Sequence, residues 1–92
     1  MVQIIIMNIN QLISIVKNKI QANILAENIN IEDKTFIHKN HKTHDKGKFH
    51  IKLTIESTQL KQMNKVESTK KIYKILDHEL KKYIHSIQIL II

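Results

Sequence analysis

Apolar residues recur at helical spacing between Ile9 and Ile24. Ile9, Leu12, Ile13, Val16, Ile20 and Ile24 form one stripe, while Asn10, Ser14, Lys17, Asn18 and Gln21 face the other way, which predicts a first amphipathic helix. The period then drops to two. Ile29, Ile31, Thr35 and Ile37 alternate with Asn30, Glu32, Lys34 and His38, as in a half-buried strand. A polar stretch from Lys39 to Lys48 holds the only glycine, Gly47, and reads as a loop.

Phe49, Ile51, Leu53 and Ile55 next alternate strictly with His50, Lys52, Thr54 and Glu56, so the two strands and the loop form a long hairpin. Ser57 or Thr58 is placed to cap a short helical turn through Leu60. From Val66 to Tyr83 the stripe Val66, Thr69, Tyr73, Leu76, Leu80 and Tyr83, broadened by Ile72 and Ile75, predicts one long helix. Glu67–Lys71 and Asp77–Lys81 are supporting i,i+4 pairs. From Ile84 the period is two again, and the chain closes on a third strand.

The resulting order is α-β-β-α-α-β, counting the short turn as a helix. It predicts an α+β fold of two layers, a three-stranded sheet with helices on one face. The last helix returns the chain to the sheet in the manner of a right-handed crossover. With 92 residues, no repeat and no linker, residues 1–92 read as a single domain. The opening run from Met1 to Met7 is apolar but too short to span a bilayer, and it has the features of neither a signal nor a transit peptide.

Composition narrows the chemistry. At 42% hydrophobic and 25% charged, the chain is globular material with an isoleucine-rich core. It has no cysteine, which excludes disulfides and any thiolate that this chain would give a metal. Net charge is +7 with histidine neutral, and all 15 basic residues are lysine. Such a surface is either simply soluble or attracts nucleic acid, an acidic protein or a membrane. Lysine lacks the planar fork that favours arginine at phosphates and base edges. A hydrolase or transferase is not expected: there is no cysteine nucleophile, no nucleophile elbow, no phosphate-cradling glycine loop and no carboxylate pair beside a histidine.

Six histidines remain, at 38, 41, 44, 50, 78 and 85. His38, His41 and His44 recur every third position in the loop, a spacing that suits either a solvated loop or two imidazoles on one ion. Lys39, Lys42, Lys46 and Lys48 in the same loop would repel a cation. His85 shares strand parity with Ile87, Ile89 and Ile91, which places it at the rim of the core, partly exposed and rigidly held. It is either a core-edge histidine bonded to a backbone carbonyl or a ligand. His78 falls on the polar side of the last helix.

The run from His50-Ile51 through the strand-ending Ser57, Ile72-Tyr73, Leu76, Glu79-Leu80 and Ile84-His85, together with Thr35-Phe36-Ile37-His38-Lys39-Asn40-His41, resembles the BolA-like family. The resemblance covers about Ile29 to Ile91. The family's His-Arg pair in the helix is replaced by Thr69-Lys70, and its tail beyond the last strand is missing. The resemblance implies a KH-like fold and an adaptor rather than an enzyme. It implies partnership with a monothiol glutaredoxin, in which a 2Fe–2S cluster bridges the two proteins and is not bound by the isolated chain. Glutaredoxin and glutathione would then give thiolates, while this chain gives His85 and one loop histidine, His41 or His38. Histidine ligation of one iron is the Rieske arrangement, and it would make the cluster labile to acid. Lys70, Lys71 and Lys74, with His50, would face the partner. The alternative function is a nucleic-acid-binding transcriptional regulator, although the Gly-x-x-Gly clamp of KH domains is lacking. The chain is expected to be a monomer alone, away from membranes, in the cytoplasm, with the mitochondrion as the alternative compartment.

Overall fold

The computed structural model describes residues 7–35 and 48–92. Helix α1 (Ile9–Asn23) begins at a capping box. The Asn8 side chain accepts from the Gln11 N–H at 2.8 Å, and the Gln11 side chain accepts from the Asn8 N–H at 3.1 Å, so two orphan donors are satisfied at once. Leu12, Val16 and Ile20 are its buried face. Strand β1 (Asn28–Asp33) stops earlier than the alternation suggests. The Asp33 carboxylate accepts from the Thr35 N–H at 2.9 Å, and this local bond turns Thr35 out of the strand. Ile37 and His38 lie outside the described residues.

Strand β2 (Phe49–Glu56) is the centre of a three-stranded sheet of order β1-β2-β3. It pairs antiparallel with β1 and parallel with β3 (Ile84–Ile91). Its odd residues Ile51, Leu53 and Ile55 are at most 2% exposed, and they form one core cluster with Leu12, Val16, Ile20, Ile72 and Leu76 from the helices. The expected two-layer α+β architecture is what the structure has.

Ser57 joins strand to helix. It is fully buried, and its hydroxyl donates to the Leu25 carbonyl at 2.8 Å while accepting from the Leu60 N–H at 3.1 Å. It therefore caps the short helix α2 (Thr58–Lys61) and ties that cap to the segment after α1. Thr58 donates outward to Glu27, and those hydrogen bonds hold the exposed Glu27 carboxyl below its usual range.

The predicted long helix is two helices. Helix α3 (Lys65–Ile75) and helix α4 (Asp77–Lys82) meet at Leu76, whose φ of −98° and ψ of 15° break the regular turn. No proline or glycine marks the place, so periodicity alone gives no sign of it. The buried face also differs from the expected stripe. Val66 and Tyr73 are exposed, while Ser68, Ile72, Leu76 and Glu79 point inward. Ser68 is small enough for close packing and returns its hydroxyl to the Lys65 carbonyl at 3.1 Å. Glu79 is buried because Lys19 of α1 reaches it at 2.8 Å. Asp77–Lys81 closes at 3.0 Å, whereas Glu67 and Lys71 form no ion pair.

Ser57→Ala takes the hydroxyl donor from the Leu25 carbonyl and removes a cap, so it should cost about 1–2 kcal/mol in urea unfolding. Thr58→Ala, at an exposed site, should cost no more than about 0.5 kcal/mol. Lys19→Met leaves the Glu79 carboxylate buried without its cation. A full buried pair loses about 3–5 kcal/mol on such a change, and the partial exposure of Lys19 lowers the expected loss to about 1–2 kcal/mol. A Lys19→Met midpoint equal to that of the native chain would contradict this reading.

Candidate functional site

The start of β3 departs from a regular ladder. Phe49 is opposite Ile84, but the next residue of β2, His50, is opposite Ser86. His85 is thus one extra residue in β3, a bulge-like irregularity of the kind that re-aims a side chain. Simple parity puts His85 on the core face with Ile87, Ile89 and Ile91. The extra residue resets the alternation, so Ile84 and Ile87 both turn toward the helices, and His85 is exposed.

The backbone on both sides of the irregularity is held. The Phe49 N–H donates to the Tyr83 carbonyl at 2.8 Å, which fixes the end of α4 against the start of β2. The Lys34 N–H donates to the His50 carbonyl at 2.7 Å, and the His50 N–H donates to the Thr35 hydroxyl at 3.2 Å. Thr35, turned out of β1, thus serves as a clamp on β2.

His50 and His85 come together here, with ring centroids 4.8 Å apart and planes tilted by 57°. His50 is only 7% exposed, and its Nδ1 lies 2.6 Å from the Ser86 hydroxyl, its cross-strand neighbour. Since a hydroxyl can donate or accept, either imidazole tautomer satisfies that bond. The two rings have different characters. His50 is enclosed and packs beside its neighbour. His85 is accessible at the start of β3.

The other candidates are placed apart from this pair or lie beyond description. His38 and His41, the expected second ligands, fall outside the described residues, as does His44. Among the described residues no group of three or more histidine, aspartate or glutamate side chains could hold a metal ion. A metal group at His85 therefore needs ligands beyond the described residues or from another molecule. His78 is exposed on α4, edge-on to Tyr83 at 6.1 Å. Lys70 and Lys74 are exposed on α3 and Lys71 is half-buried. They belong to the helical layer, whereas His50 shares its sheet face with Lys52, Thr54 and Glu56, away from the core. Ser86 and Thr35 are the site residues that sequence reasoning did not find, because both act through pairings that only the register creates.

His85 is an exposed imidazole, and the chain has no thiolate to offer a metal. Among the described residues, no helix is long and apolar enough to cross a membrane.

Known structures share this fold. The BolA domain of SufE1 from Arabidopsis thaliana is similar with a TM-score of 0.72 and 24% identity, over 85% of this chain and 86% of that one. BolA1 from Arabidopsis thaliana is similar with a TM-score of 0.70 and 26% identity, over the same shares. The solution structure of BolA1 from Mus musculus gives 0.67 and 14%, over 84% of this chain and 60% of that one, a likeness of fold alone. No curated protein matches the chain in sequence. The family described as BolA-like protein, which is not in general enzymatic, matches residues 20–92, and this chain belongs to it.

Proposed function

We propose that this chain is an adaptor that partners a monothiol glutaredoxin and shares a bridging 2Fe–2S cluster, in iron–sulfur cluster trafficking or iron sensing. The observation that carries the reading is the exposed His85, set by one extra residue at the start of β3 and backed by the buried His50. Membership of the BolA-like family supports it. So does the absence of cysteine, since a cluster held partly by this chain would have to take its thiolates from the partner and glutathione.

In this proposal His85 is one ligand and His41 or His38 is the second. When bound, the cluster supplies one-electron chemistry, with a potential raised by imidazole ligation. The residues of the chain do the positioning. His50, bonded to Ser86, forms a wall that limits where the His85 ring can turn. Thr35 clamps the strand beneath it. Lys70, Lys71 and Lys74 offer positive charge to an acidic partner surface, which speeds encounter more than it strengthens the complex.

The test is anaerobic cluster reconstitution of this chain with a monothiol glutaredoxin and glutathione, read by visible circular dichroism. A spectrum distinct from that of glutaredoxin alone is expected. It should be lost in His85→Ala and kept in His78→Ala, which is also exposed but lies on α4. A glutaredoxin spectrum unchanged by this chain would overturn the proposal. It would move nucleic-acid binding, with its steep dependence on salt, to first place.

A further inference from the structure

We propose that the outer edge of β3 is a docking site for an extended, acidic segment of a partner protein, added to the sheet as a fourth strand. Strand β3 lies at the edge of the sheet and runs for eight residues without a lysine, aspartate, glutamate, proline or glycine. Natural sheets usually blunt such edges with charge, proline or shortness. The opposite edge follows that rule: β1 has six residues and ends in Glu32 and Asp33.

The backbone of β3 is poised for pairing. Ile92 donates to the Ile55 carbonyl at 2.9 Å and accepts from the Ser57 N–H at 3.2 Å, so its amide groups turn toward β2. By alternation Leu90 and Gln88 do the same, and Ile87, Ile89 and Ile91 turn their N–H and C=O groups outward. These three residues are also the under-covered ones. Their rung partners Ile51, Leu53 and Ile55 are at most 2% exposed, yet Ile87, Ile89 and Ile91 are only half-buried. The helical layer covers β2 and stops short of the sheet edge.

What lies over that gap is a groove of about 290 Å³. Ile89 and Ile91 form one wall, Met63 and Thr69 line the other, and the exposed Lys61 and Lys65 add positive charge. Among the described residues, no carboxylate lines it. An incoming strand would place every second side chain here, so a face that carries apolar residues to meet the isoleucines and carboxylates to meet the lysines is the complementary chemistry. A second copy of this chain is the poorer occupant, because each copy adds a net +7. The groove is at the end of β3 remote from His85, so this docking needs no metal.

The experiment is an NMR titration of the full chain with two eight-residue peptides, Thr-Val-Thr-Val-Thr-Glu-Thr-Glu and the same peptide with lysine for glutamate, which carry valine and charge on one face. The glutamate peptide should shift the amides of Ile87, Ile89 and Ile91 and slow their hydrogen exchange, and the lysine peptide should not. The response should disappear in Lys61→Glu combined with Lys65→Glu. It should also disappear in Ile89→Pro, which removes an outward N–H without breaking the β2 ladder. Should Ile89→Pro fail to fold, the charge variant decides. Equal responses to both peptides, or shifts confined to surfaces other than β3, would overturn the proposal. So would concentration-dependent shifts along β3 without peptide, since they would make a second copy the occupant.

Discussion

The parallel pairing of β3 with β2 is the constraint on which the rest of the structure depends. A parallel neighbour cannot be reached by a tight turn, so the chain must leave β2 and cross the sheet before it returns. Here α2, α3 and α4 make that crossing and cover the sheet as they do so. The return is abrupt, with Tyr83 ending α4 and Ile84 opening β3. One residue too many lies between the Phe49–Ile84 rung and the His50–Ser86 rung, and that residue is His85. The feature that makes the histidine accessible is thus a consequence of how the fold closes.

A core this small depends on a few buried polar groups as well as on apolar area. Ser57 satisfies two backbone groups at the joint between strand and helix, where an apolar residue would leave both without that partner. Glu79 is buried because a lysine from the first helix reaches it, which ties α1 to α4 across the helical layer. Such a pair fixes one arrangement and resists the sliding that an all-aliphatic helix contact would permit. Stability concentrated at these joints leaves the sheet edge free to be incomplete, as the half-buried isoleucines of β3 are.

Much of this was legible from residue order. Strict alternation from Phe49 to Glu56 and the apolar stripe from Ile9 to Ile24 each lead to the element observed, because a single buried face dictates a single period. The motif residues from His50 to His85 lead to the family. The Leu76 break was not legible, since no helix-breaking residue is present. The inward face of α3 and α4 was misjudged for a related reason: Glu79 looks like a solvent residue until its distant partner, sixty positions earlier, is in place. His85 shows the same limit, because parity counting assumes a regular ladder and the slip arises only from tertiary pairing. Long-range pairing carries the information that local pattern lacks.

The central claim is that this chain, through His85, ligates iron in a cluster shared with a glutaredoxin. Its most direct test is pulsed electron paramagnetic resonance of the reduced mixed complex, with only this chain labelled with ¹⁵N-histidine. The account predicts a nitrogen hyperfine coupling that changes from the ¹⁴N to the ¹⁵N pattern on labelling and vanishes with His85→Ala. A reduced cluster with no nitrogen coupling from this chain would contradict it.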